Sequence, residues 1–265
     1  MLHHISVPFA DTTLTVQENR KAPCPAAGEC PTGCLVWPAS LSCLSLLASL
    51  DPTALHTLAG SASFLDLSAG VGLTSLALAH LCGPSGRVLS LDTPTALPLL
   101  SSNLRCSGRV AVHAYAWGEA LPLHALGAGS PPLSLALACD LLYCAVRDGR
   151  AAELARTLAA LARAARLGAL VVWQPRRGEE ELALLAEAAR LCGAAPCAPL
   201  RLRAQGQHRG VGHPDGAIFL PPSLFPEALE GGEGEGESEG AGDQPSVLCA
   251  LLRPLGAPEL ALPQQ

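Results

Sequence analysis

The sequence predicts an α/β domain built on a mainly parallel sheet with helices on both faces. Three observations point there. From Ser63 onward, short apolar runs alternate with segments of helical spacing. A glycine-rich turn, Ser68-Ala69-Gly70-Val71-Gly72, follows the first apolar run and precedes a helical pattern. An acidic residue, Asp92, closes the second run 22 residues after Gly70, the arrangement that brings a carboxylate to the ribose of a nucleoside cofactor.

Each element follows in order. Ile5–Val16 alternates like a small hairpin, and Leu35–Leu50 reads as a helix entered through the Trp37-Pro38 turn. The first strand is Ser63–Leu67, with a helix over Leu73–Cys82. The second strand, Arg87–Leu91, ends at Asp92, and a helix through Leu97–Cys106 comes next. Strands are expected at about Val110–Ala116 and Leu133–Ala138, a helix at Ala151–Ala165, a fifth strand at Ala169–Gln174 and a helix at Glu179–Leu191. Pro199–Arg203 and Val247–Leu252 supply the last two strands of a seven-stranded sheet. Residues 1–50 thus form an N-terminal hairpin and helix, 51–253 the sheet domain, and 254–265 a flexible tail.

The formal charge of −6 comes from 17 basic and 23 acidic residues, and it is unevenly placed. Glu227, Glu230, Glu233, Glu235, Glu237, Glu239 and Asp243 fall in one stretch without a basic residue. The body outside it is close to neutral. The Gly/Glu alternation there has no apolar face to bury, so residues of about 223–245 are expected to be a disordered acidic insert. With so little positive charge, nucleic acid is not an expected partner. No apolar stretch reaches the roughly 18–20 residues of a membrane span, and Met1–His4 lacks the pattern of a secretory signal. The eleven cysteines read as reduced thiols rather than a disulfide framework. The spacing of Cys24, Cys30 and Cys34 is not that of a zinc knuckle, so no metal is expected. A cytoplasmic or nuclear monomer is the expectation.

The glycine turn lets backbone approach a ligand, and the following helix N-terminus offers free amides. Ser75 stands where a dinucleotide fingerprint would have its third small residue, and no basic cluster waits for a pyrophosphate. Asp66 would repel phosphate yet could meet an ammonium group. A ribose and an amino-acid end together point to S-adenosylmethionine as the cofactor. On the same rim, Asp140 and Tyr143 follow the fourth strand, where a carboxylate and a phenol can orient an amine. Trp117 ends the third strand, placed to stack on an adenine. Arg176-Arg177, after the fifth strand, could touch an acidic partner, with a plain loop turn as the alternative.

These residues, in this order, resemble a family. Thr32-Gly33-Cys34-Leu35-Val36-Trp37-Pro38-Ala39 is similar to the Thr-Gly…Val-Trp-Pro-Ala run of the methyltransferase family sixteen proteins, which are seven-strand protein-lysine methyltransferases that include the methyltransferase-like twenty-one group. Phe64–Leu73 resembles their Leu-Glu-Leu-Gly-Ala-Gly-Thr-Gly-Leu, Leu99-Leu100-Ser101-Ser102-Asn103 their Leu-Leu-x-x-Asn, Trp117-Gly118 their Trp-Gly, and Asp140–Tyr143 their D-x-x-Y. Thr157-Leu158 falls where the family often has Thr-Leu, and the likeness runs from about residue 5 to 192. It implies a Rossmann-like class I methyltransferase fold. Trp37, Asp66, Ser68, Gly70, Gly72, Asp92 and Trp117 would serve the cofactor, and Asp140 and Tyr143 the methyl acceptor. Ser68 replaces the family's first glycine, Asp66 its glutamate, and Cys144-Ala145-Val146 follows Tyr143 where many members are acidic.

The function expected is methyl transfer from S-adenosylmethionine to a lysine amine of a protein substrate. Two alternatives remain at this point: transfer to a small molecule or another side chain, and a catalytically degenerate methyltransferase fold used for binding.

Overall fold

The computed structural model describes residues 2–19, 32–48, 62–194, 200–202 and 247–253. The acidic stretch, the expected tail, Cys24 and Cys30 lie outside the described residues. A two-stranded antiparallel hairpin, β1 (Leu2–Phe9) and β2 (Thr12–Asn19), comes first. A 3-10 turn over Thr32–Cys34 leads into α1 (Pro38–Ala48), with proline at its first position, where no amide donor is needed.

A seven-stranded sheet follows, built from β3 (Ser63–Asp66), β4 (Arg87–Asp92), β5 (Val110–Ala114), β6 (Leu133–Cys139), β7 (Ala169–Trp173), β8 (Leu200–Leu202) and β9 (Val247–Leu252). Its spatial order is β5-β4-β3-β6-β7-β9-β8. The neighbours from β5 to β7 are parallel, and β9 runs antiparallel to both β7 and β8. The expected class, a mainly parallel seven-stranded Rossmann-like sheet, is therefore present. The helices are α2 (Leu73–Leu81), α3 (Leu97–Leu104), α4 (Leu142–Arg147), α5 (Ala151–Ala164) and α6 (Glu179–Cys192).

Strand alternation divides the core into two layers. Phe64, Val88, Leu135, Leu137, Leu170 and Val172 face the hairpin, α1 and α2. Leu65, Leu89, Ala136, Ala138, Val171 and Trp173 face α4, α5 and α6. Both faces are covered, which is why β7 reads as an unbroken apolar run and β6 as one interrupted only by Ser134, with every residue buried.

The boundaries differ from expectation in instructive places. The third sheet strand stops at Ala114, because the chain turns at Tyr115, whose hydroxyl donates to the Glu119 carbonyl at 2.9 Å. The helix expected to reach Cys106 ends at Leu104, and the first helix starts at Pro38 rather than Leu35. The six-residue α4 was not expected; it is too short to show helical periodicity. No helix among the described residues is long and apolar enough to cross a membrane. The eight described cysteines carry no disulfide, and no group of three or more His, Cys, Asp or Glu among the described residues could hold a metal ion.

Candidate functional site

The order of the sheet reverses between β3 and β6, the neighbours of a switch point where α/β sheets bind ligands at the carboxyl ends of their strands. Asp66, Asp92 and Asp140 stand at or just past the carboxyl ends of β3, β4 and β6. Ser68 bridges the turn after β3 to the end of β6. Its hydroxyl donates to the Cys139 carbonyl at 2.8 Å and accepts the Cys139 amide at 3.0 Å. It keeps an ordinary backbone angle, so the serine does the work of joining β3's turn to β6 that a glycine could not do.

The glycine turn is held from the opposite side by Asp92. The Gly70 amide donates to Asp92 Oδ2 at 2.7 Å, and the Thr93 amide to Oδ1 at 2.7 Å. Burial raises the Asp92 carboxyl above its usual range, partly offset by these amides. Gly72 has φ +89, and a Cβ there would sit 3.0 Å from Leu100 and Leu104. The turn therefore packs on α3 as tightly as backbone allows. The Thr32–Cys34 turn lies across the same place: a Cβ on Gly33 would come within 2.7 Å of Ala96 Cβ and 3.8 Å of Asp92 Oδ1.

Asp66 works inward. It is fully buried, and Oδ2 accepts from Thr74 Oγ1 at 2.6 Å and Ser75 Oγ at 2.7 Å, with Ser90 Oγ donating to Ser75 behind them. Oδ1 has no hydrogen bond of ordinary geometry. Burial pushes its carboxyl up to about 6, against the pull of the Thr74 and Ser75 hydroxyls and the Ser68 amide. Its role visible here is to tie β3 to the first turn of α2.

Asp140 takes the left-handed conformation, φ +57, which aspartate tolerates better than most side chains. It is not the cap of α4; that position is Leu141. Its side chain is 7% exposed, and Oδ1 accepts the Gln174 amide at 3.2 Å. Both carboxylate oxygens receive the Arg176 guanidinium, at 3.3 and 2.9 Å. That guanidinium carbon lies 5.4 Å from the Trp37 ring centroid and 5.1 Å from that of Tyr143. Arg177 and Arg147 also reach the Tyr143 ring, at 6.0 and 5.7 Å. The structure thus brings Trp37, Asp140 and Tyr143 together around one arginine.

Trp117 lies elsewhere on the rim. Arg150 stacks on its ring at 5.2 Å and donates to its carbonyl at 3.1 Å, while the Gly118 amide donates to Thr157 Oγ1 at 2.9 Å. Its described contacts belong to the α5 side and not to the Trp37 cluster.

Four residues were missed as site candidates. Asn103 accepts the Gln17 amide at 2.9 Å and donates to the carbonyls of Gln17 (2.9 Å) and Val71 (2.8 Å), lashing the hairpin to the glycine turn. Glu18 accepts the Val36 amide at 3.2 Å, beside Trp37. Glu181, fully buried in α6, accepts the Arg176 amide at 3.3 and 3.2 Å. Arg176 reads in the sequence only as a rim residue. The signals in the sequence were the Leu-Leu-x-x-Asn run for Asn103 and the doubled arginine for Arg176; Glu18 and Glu181 gave none.

A sequence model of a family described as lysine methyltransferase matches residues 11–187. No curated protein matches the chain. Among solved structures it is similar to a methyltransferase domain named METTL16 (16% identity, 64% of this chain and 65% of that one, TM-score 0.43). It is also similar to a SAM dependent methyltransferase from Aquifex aeolicus (14% identity, 62% and 90%, TM-score 0.35). A third is the O-methyltransferase NcsB1 of neocarzinostatin biosynthesis, in complex with S-adenosyl-L-homocysteine and 1,4-dihydroxy-2-naphthoic acid (19% identity, 58% and 47%, TM-score 0.39).

Proposed function

The chain belongs to the lysine methyltransferase family, whose match spans residues 11–187, and from that premise we propose that it transfers the methyl group of S-adenosylmethionine to a lysine amine in a protein substrate. The residues at the switch point suit that cofactor. Asp92 is partly exposed and keeps lone pairs beyond those taken by Gly70 and Thr93, so it can accept from ribose hydroxyls. Nothing but backbone borders the open side of Gly70, where a Cβ would find its nearest atom at 3.8 Å. No arginine reaches the glycine turn in any described contact, which agrees with a ligand that carries no phosphate. When bound, S-adenosylmethionine supplies a methyl group activated by its sulfonium, so the protein's tasks are alignment and charge control.

The observation that carries the acceptor assignment is the cluster of Asp140, Tyr143 and Trp37. A carboxylate whose bound cation faces two aromatic rings suits a cation on a flexible stem. A lysine side chain has a pKa of about 10.4 and arrives protonated. In this reading Asp140 holds the ammonium at the rim, the proton leaves to water, and the neutral nitrogen attacks. Trp37 and Tyr143 flank the stem and hold it in line. Ser68 and Asp66 act by fixing the turn and strand ends that these groups stand on.

The test is labelled S-adenosylmethionine with a cell extract, comparing the native chain with Asp140→Asn. Asparagine retains tolerance of the left-handed backbone, so lost labelling reports the charge and not the fold. The expected result is labelled protein with the native chain and at least a hundredfold less with the variant, while calorimetry shows cofactor affinity within about threefold. Equal loss of cofactor binding would move Asp140 from the acceptor to the scaffold.

A further inference from the structure

We propose that Arg176 is an internal occupant of the acceptor site, holding the place of the substrate cation until a lysine displaces it; this rests on the lysine-transfer reading of Asp140, Tyr143 and Trp37. The guanidinium engages both oxygens of Asp140, at 3.3 and 2.9 Å, and faces the rings of Trp37 and Tyr143 at 5.4 and 5.1 Å. Every group that would recognise an incoming ammonium is thereby in use. A nearly buried carboxylate held by two guanidinium nitrogens has no room for a second cation without an exchange.

The placement is built into the fold. Arg176 lies on the short turn between β7 and α6, and that turn is fastened at two points. The Gln174 amide donates to Asp140 itself at 3.2 Å. The Arg176 amide donates to both oxygens of Glu181, a fully buried carboxylate on α6. The backbone is thus fixed where the side chain can reach into the cluster, while the side chain stays 25% exposed, with solvent on its outer side. Swinging out would give up the guanidinium's bond to Gln174 Oε1 at 3.4 Å but leave the Gln174 amide on Asp140 and the Arg176 amide on Glu181, so opening needs no rearrangement of the sheet. The exchange is cation for cation, which disfavours neutral acceptors. A neutral side chain cannot compensate Asp140 once Arg176 leaves.

The experiment uses small cations as probes on the full chain. Ethylguanidinium and n-butylammonium, the side-chain fragments of arginine and lysine, are titrated into the native chain, Arg176→Ala and Arg176→Gln, with tryptophan fluorescence as the readout. Both variants should show a saturable change at concentrations at least tenfold lower than the native chain requires, and Trp37→Phe in the Arg176→Ala background should abolish it. An equal response in native and variant chains, or one that survives loss of Trp37, overturns the proposal. In the labelled-extract assay, both variants should label acceptor protein at least as strongly as the native chain at limiting extract. Loss of labelling with cofactor binding intact also overturns it, and makes Arg176 a positioning residue for Asp140. No labelling by any form, with the probe results as expected, supports Arg176 as the occupant of the cluster and refutes lysine transfer instead.

Discussion

The Gly70 amide meets the Asp92 carboxylate at 2.7 Å across 22 residues of chain. One side chain from the end of β4 therefore fixes the shape of the turn that follows β3. The second oxygen accepts the Thr93 amide, so both halves of the carboxylate face donors. Asp92→Asn must turn its amide toward one of those N–H groups. The expected cost is about 1–3 kcal/mol of stability, the penalty for an unmatched buried donor. S-adenosylmethionine affinity should fall at least tenfold by calorimetry. Unchanged affinity would separate Asp92 from the cofactor.

Ser68 gives a sharper test because the family carries glycine there. Its hydroxyl makes two hydrogen bonds to the buried Cys139. Replacement by alanine should lower stability by about 1–3 kcal/mol in urea denaturation, since the Cys139 amide loses its partner. Replacement by glycine, although it restores the family residue, should cost at least as much. Glycine adds backbone freedom to the unfolded chain and supplies no hydroxyl. A Ser68→Gly chain as stable as the native one would show that the bridge contributes nothing.

Asn103 links segments 86 residues apart. Asn103→Ala removes three hydrogen bonds, an expected loss of about 2–4 kcal/mol at about 1 kcal/mol or slightly more for each. Hydrogen exchange should quicken first in Thr12–Asn19, ahead of the sheet strands. Uniform acceleration across the protein would mean that the hairpin is held by its apolar contacts alone.

The acid limb of stability should carry the signature of Asp66. Its folded pKa is about 6 against an ordinary 3.8. Between those values the folded protein holds a proton that the unfolded chain has lost. Stability from this group is therefore fully present below about pH 4 and lost as pH rises to about 6. At 1.36 kcal/mol per pH unit the change is about 3 kcal/mol. Chemical denaturation of the native chain and Asp66→Asn from pH 4 to 7 should show the native chain gaining relative to the variant as pH falls. Parallel profiles would place the Asp66 pKa near the ordinary carboxylate value.

Much of this architecture is legible in the sequence because buried parallel strands leave a simple trace. Phe64–Leu65 and Leu135–Cys139 are apolar on both faces, and an acid follows the end of each run. Asp92 and Asp140 are readable for the same reason. Asp66 looks alike in sequence, yet its side chain falls on the face toward α2, where Thr74 and Ser75 claim it. Arg176 is illegible as a partner of Asp140, since the pair is 36 residues apart and depends on a turn anchored by Glu181. Composition and periodicity report burial well. They do not report which long side chain crosses a crevice.

The reversed strand β9 imposes an order of events on synthesis. It lies between β7 and β8, although β8 precedes it in the chain. Until residue 247 leaves the ribosome, β7 has no neighbour on that side and β8 has nothing to pair with. The open edge is Ala-Leu-Val-Val-Trp, uncharged along its length, the kind of edge that recruits other chains. The nascent protein must therefore shield Ala169–Trp173 through the translation of residues 203–246. A chain cut anywhere in that interval should accumulate as aggregate, with its switch point already formed.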